Sequence, residues 1–155
     1  KGGPHLAVDG KGKVTIQLLT GSQAGQAVTC GVKYRGEVWN PAPKGAGEDV
    51  MNSIAFSKCH STPAAHCTVE GLGLPWHSIL VREYPEEDDS IDAVQLQVSC
   101  PSSGSSLIEG GLQGPVGKAE TEQEGLFASG PSTVEAEVKL HLNIQAKGGG
   151  VYVGP

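Results

Sequence analysis

A chain of 155 residues with 17 acidic and 11 basic side chains carries a formal charge of -6. With no cluster of Lys and Arg along the sequence, nucleic acid and anionic membrane are not expected as partners, and no apolar run nears the roughly 18 residues that a membrane-spanning helix needs. The 23 glycines and 10 prolines exceed ordinary usage and fit a single domain of strands divided by many turns.

Beginning at Lys1 and not at Met, the chain reads as a mature product or a trimmed one, so the lack of a signal peptide is compatible with secretion. The opening KGGPHLAVDGKG is rich in glycine and short on pattern. It is expected to be a flexible arm over residues 1–12, carrying one apolar patch at Leu6, Ala7 and Val8. Lys13 to Leu19 alternates Val14, Ile16 and Leu18 against Thr15 and Gln17, the period of a strand with one dry face. After a turn at Gly21 to Gly25, Val28, Cys30, Val32 and Tyr34 share a face, and Gly31 marks a bulge. The two strands make a hairpin. Arg35 to Asp49 is dense in proline and glycine and reads as a long loop, in which Trp39 either folds back to cap the core or stands out as a contact residue.

Val50 to Cys59 returns to strand, and His66 to Glu70 follows after the turn HSTPAAH. Trp76 to Tyr84 carries apolar residues in both phases, as a central strand does. The six acidic residues between Glu83 and Asp92 read as a solvated hairpin loop, without the ligand spacing of a calcium loop. Ala93 to Cys100 closes that hairpin, with Val94, Leu96, Val98 and Cys100 on one face. Leu107 with Ile108, Val116, and Leu126 to Ala128 are placed as three short strands between glycine and serine turns. Thr133 to Gln145 is the clearest segment of all. Val134, Ala136, Val138, Leu140, Leu142 and Ile144 take every second position, against Glu135, Glu137, Lys139, His141 and Asn143. At about 40 Å in length it either bends or serves two sheets. Residues 148–155 then form a glycine-hinged mini-strand of Val151, Tyr152 and Val153, which needs a sheet edge to pair with. The body of the fold, residues 13–147, is expected to be an all-β antiparallel sandwich or barrel of about 8–10 strands.

Four cysteines in a chain of this composition suit an oxidising compartment and two disulfides. Of the three pairings, Cys59 with Cys67 and Cys30 with Cys100 is favoured, the first pair flanking a short turn. The chain-entropy model assigns about 2.6 kcal/mol to the small loop and about 4.4 kcal/mol to the large one, so loss of the large one is expected to hurt more.

Catalytic and metal chemistry finds little to stand on. Cys59, His60, His66 and Cys67 are zinc ligands by type but not by spacing, and adjacent strand residues point to opposite faces, so a disulfide with bystander histidines is the better reading. The sequence has no G-x-S-x-G elbow and no H-E-x-x-H helix. The carboxylates of Glu86 to Asp92 and Glu120 to Glu124 read as loop charges without an apolar pocket to raise a pKa. No enzyme activity, metal or cofactor is expected.

The succession TCGVKYRGE, IAFSKC, HCTVEG, VQLQVSC and SLIEGGLQGPVGK, over roughly Val28 to Lys118, resembles a group of secreted, four-cysteine, β-rich actinobacterial proteins of unassigned function. The resemblance implies export and a disulfide-stapled β domain, and carries over no catalytic or binding residue. Two functions follow as expectations. The first is an extracellular or cell-surface structural protein that self-associates, a terminal segment (Leu6, Ala7 and Val8, or Val151, Tyr152 and Val153) adding a strand to a neighbour's sheet and so propagating a filament. The alternative is a monomeric secreted module that binds a glycan or a protein through Trp39 and Trp76.

Overall fold

The computed structural model of the protein describes residues 5–39, 47–62, 66–83, 86–101, 104–115, 120–127 and 134–146. Among them are nine strands and no helix: β1 (Leu6–Leu18), β2 (Ala27–Trp39), β3 (Glu48–Thr62), β4 (Thr68–Leu72), β5 (Trp76–Glu83), β6 (Glu86–Cys100), β7 (Gly104–Pro115), β8 (Glu120–Phe127) and β9 (Ala136–Ala146). Eight of them form a closed antiparallel barrel in the order β1-β2-β3-β5-β6-β7-β8-β9, with β9 returning to β1. β4 is the extra strand. It pairs with the later half of β6, Thr68 opposite Ser99 to Leu72 opposite Gln95, while β5 pairs with the earlier half, Ser78 opposite Ile91 to Glu83 opposite Glu86. Both lie on the same edge of β6, so they act as one strand interrupted at Gly73, Leu74 and Pro75. A matching register shift breaks β6 between Ile91 and Val94, with Ala93 at φ 56°.

Closure sends alternate side chains inward, and hydrophobic burial supplies the driving force. In β1 the inward set is Val8, Gly10, Gly12, Val14, Ile16 and Leu18; in β9 it includes Ala136, Val138, Leu140 and Leu142. With Val28, Cys30 and Val32 of β2, Val94, Leu96 and Val98 of β6 and Ile108 of β7, these fill one length of the barrel with aliphatic packing. Call the end at Leu18, Ala27, Thr62 and Cys100 the lower end. There the turn after β1 carries Gln23, fully buried, whose Nε2 donates to the Gly104 carbonyl at 2.6 Å. The upper end lies at Leu6, Trp39 and Glu48.

Several expectations are corrected. Residues 6–12 are not a free arm: Leu6 to Gly12 form the first half of β1, paired with β2 from Val38 to Val32. The interior positions there are glycines, which kept the alternation from showing. The loop expected from Arg35 to Asp49 is shorter, because β2 continues to Trp39 and β3 begins at Glu48. The acidic run is largely strand, since β5 reaches Glu83 and β6 starts at Glu86; closure of the ladder overrides the weak strand propensity of Asp and Glu. Of the three short strands expected near residues 107–128, those at Leu107 and Leu126 lie in β7 and β8, and Val116 and Ala128 lie outside the described residues.

The disulfides are Cys30–Cys59 and Cys67–Cys100, in place of the expected pairing. Their physical origin is a bulge and a change of partner. Lys58, at φ 52°, leaves Lys58 and Cys59 together opposite Cys30, between the pairs Thr29–His60 and Gly31–Ser57, and so turns Cys59 toward the interior. β4 meanwhile is hydrogen-bonded to β6, which brings Cys67 beside Cys100. Of the expected hairpin between β3 and β4, the described residues show one bridge, between His60 and His66.

Candidate functional site

The upper interior differs in kind from the lower. Tyr34 on β2, Asp49 on β3, Ser78 on β5 and Asp89 on β6 all fall in the inward phase. Asp49 pairs across the ladder with both Val38 and Ser78, and Ser78 in turn with Ile91. Ser78 and Asp89 are buried, Tyr34 and Asp49 half-buried. The Ser78 hydroxyl donates to an Asp49 carboxylate oxygen. The Tyr34 ring lies over Gly10, directly across the pair, where a Cβ would overlap it. A strand position without a side chain thus makes room for an aromatic ring inside the barrel.

The electrostatics follow from burial. Desolvation, with the fields of Asp49, Asp89 and Asp9, pushes the Tyr34 phenol far above its ordinary value, so it remains a protonated donor. Desolvation also raises the Asp49 carboxyl, and the hydrogen bond from Ser78 opposes the shift. An acid raised in the folded state holds its proton more tightly folded than unfolded. Its stabilising effect is therefore present below the ordinary aspartate value, about 3.9, and is lost as pH rises through the folded value. Asp49→Asn, which keeps the shape and an acceptor for Ser78, is expected to raise the melting temperature by a few degrees at about pH 8 and to change it little at about pH 4. Calorimetry across that range checks this; a gain that is the same at both ends would mean Asp49 is not held in a raised state.

Of the two tryptophans, Trp76 falls in the inward phase beside this cluster, whereas Trp39 falls in the outward phase with Arg35 and Glu37. Trp39 is half-buried at the upper rim, stacked on His5 with ring centroids 4.4 Å apart and planes 4° from parallel. His5 also lies 3.3 Å from Glu37. Trp76 is 3 % exposed, pairs with Met51, and donates Nε1–H to the Leu72 carbonyl at 2.8 Å. Its indole is a packing and hydrogen-bonding element two residues from Ser78, not a surface contact. A shallow depression of about 210 Å³ lies outside the wall at Pro75, His77, Ile79 and Ala93, with Ile79 exposed.

The other expected site residues are dispersed. Leu6, Ala7 and Val8 lie in β1, with Val8 paired on both edges. β9 has no open edge over Glu137 to Asn143, since β1 and β8 flank it. Val151, Tyr152 and Val153 lie outside the described residues. Cys59 and Cys67 belong to different disulfides, and His60 lies on the surface with Nδ1 3.3 Å from the Lys58 carbonyl. Among the described residues no group of three or more His, Cys, Asp or Glu is arranged to hold a metal.

Comparison with protein-family models, with curated proteins and with solved structures finds no match. Two disulfides and no free cysteine fit an oxidising environment.

Proposed function

We propose that the chain is a secreted, non-enzymatic binding module that takes a small hydrogen-bond-donating ligand at the upper, polar end of its barrel. One observation carries this reading: Tyr34, Asp49, Ser78 and Asp89 gather from four strands at one end of an interior whose larger part is apolar. Burying ionisable groups costs stability that aliphatic side chains of similar size would not forfeit, and perturbed titratable groups gathered in one place are candidates for a functional site. An eight-stranded barrel has an interior just wide enough for packed side chains or for one small ligand. The inward carboxylates accept from ligand donors and the Tyr34 hydroxyl can donate as well as accept, so polyols and amines are the class to try.

The resemblance to secreted four-cysteine proteins, with the disulfides, supports export as part of the same proposal. Trp76, two residues from Ser78 in the same inward phase, serves as the fluorescent reporter, while Trp39 stands on the outer face of the rim. With the disulfides intact, monosaccharides and primary amines are titrated while tryptophan fluorescence and melting temperature are followed. A ligand of this class is expected to raise the melting temperature and perturb the fluorescence, and Asp89→Asn or Tyr34→Phe to weaken it about tenfold, or 1.4 kcal/mol. If no member of either class shifts the melt, or both variants bind as the parent does, the cluster serves the fold alone.

A further inference from the structure

The strand register assembles a charge pattern on the outer wall that the linear sequence conceals. Lys33 of β2, Lys11 of β1 and Asn143 of β9 form one lateral row, and Gly31, Lys13 and His141 the next; Thr29, Thr15 and Lys139 make the third. Lys11, Lys13, Lys33 and Lys139 are exposed. Arg35 lies beside them and is engaged by Asp9 at 3.5 Å, and Lys139 is 3.7 Å from Glu137. Lys11, Lys13 and Lys33 have no ion-pair partner among the described residues, although Lys11 stands directly opposite Lys33, an arrangement that destabilises a sheet. On the next strand, β8, Glu122 stands opposite His141 and Glu124 opposite Lys139, both exposed, with Glu122 3.2 Å from His141. A positive stripe along β2, β1 and β9 therefore borders a negative stripe on β8. A shallow depression of about 260 Å³ runs between them, with Lys13 and Lys139 on one side and Glu122 and Glu124 on the other.

We infer that this wall docks a second copy of the same chain. Adjacent stripes of opposite sign are self-complementary about a two-fold axis that lies in the interface along their boundary. Rotation about that axis sets the lysines of each copy over the glutamates of the other. A long polyanion fits the wall less well, because Glu122 and Glu124 close one side of the basic stripe and Glu37 stands beyond Arg35 on the same strand. The contact needs no terminal strand, and because it runs along the side of the barrel it leaves the upper end open. Exposed ion pairs contribute little singly, so the dimer is weak and its affinity falls as salt screens the stripes.

Sedimentation velocity on the full disulfide-bonded chain tests this, with two charge-reversed variants, K11E/K33E and E122K/E124K, whose folding is checked by circular dichroism. The parent is expected to dimerise at low salt and to lose at least about tenfold in affinity at high salt. Each variant alone is expected to be monomeric, K11E/K33E because its basic stripe is neutralised by two glutamates against Lys13 and Lys139 and E122K/E124K because both its stripes are basic, and an equimolar mixture of the two to dimerise again. A parent that is monomeric at low salt, or a mixture that stays monomeric, overturns the inference. So does a monomer that binds a sulfated polysaccharide column through Lys11 and Lys33, which would assign the basic stripe to a polymeric anion instead.

Discussion

Replacing Cys67 and Cys100 with serine is expected to lower the melting temperature by about 7–15 °C, and reducing both disulfides to unfold the barrel at temperatures where the oxidised chain is stable. The loops closed by Cys30–Cys59 and Cys67–Cys100 span 29 and 33 residues. The chain-entropy model gives about 3.6 and 3.7 kcal/mol for them, nearly equal, where the pairing expected from the sequence had made them unequal. Together they approach the whole net stability of an ordinary domain, about 5–15 kcal/mol.

Equal loops do not mean equal consequences. Cys30 and Cys59 join β2 to β3, which are paired from Ala27–Thr62 to Trp39–Glu48 without that bond. Cys67 anchors β4, a five-residue strand whose ladder runs to β6 alone. Loss of Cys67–Cys100 is therefore expected to open β4 locally below the global melt, seen as faster amide exchange at Thr68 to Leu72. Loss of Cys30–Cys59 is expected to lower the global transition without that local phase. Calorimetry and hydrogen exchange on the two serine pairs separate these outcomes, and a Cys67/Cys100 variant with the parent's melt and exchange would remove the disulfide from the account of stability.

Strand identity was legible wherever aliphatic residues occupy the inward phase. β9 is the clearest case, and the later halves of β1 and β6 follow. Legibility failed where the inward phase holds glycine or a polar group. Val8, Gly10, Gly12, Val14 continues the alternation of β1, and Tyr34, Gly36, Val38 that of β2, yet both stretches looked patternless or loop-like. The candidate site hides by the same rule. Ser78 is in phase with Trp76, and Asp89 with Ile91; each is a polar residue in an apolar slot, which on sequence alone does not differ from a loop charge or a surface serine. The phase of Asp49 was hidden by the register shift between Arg35–Ser53 and Gly36–Met51. Strand order, disulfide pairing and the meeting of Lys11 with Lys33 depend on long-range register, which alternation does not encode.

Gly12→Ala is expected to open the barrel where its first and last strands meet. Gly12 pairs with Val32 on one side and Leu142 on the other. A Cβ there would overlap the His141 carbonyl oxygen and come within 3.0 Å of the Leu142 Cα, so the obstacle is β9 backbone. At Gly10, two residues away, the obstacle is the ring of Tyr34, a side chain that can turn aside. The neighbouring glycines thus predict different results from the same substitution. Gly12→Ala must push β1 and β9 apart along the seam that closes the ring, at a cost of about 3–5 kcal/mol, near the upper range for single substitutions. Gly10→Ala displaces Tyr34, costs less, and is felt chiefly at the polar end, where it should weaken any ligand the site holds. Denaturant melts give the two stabilities, and amide exchange along β9 shows where the damage lies. Equal losses at the two positions, or no loss at Gly12, would mean that the seam can relax and that the close approach of β1 to β9 is not what closes the barrel.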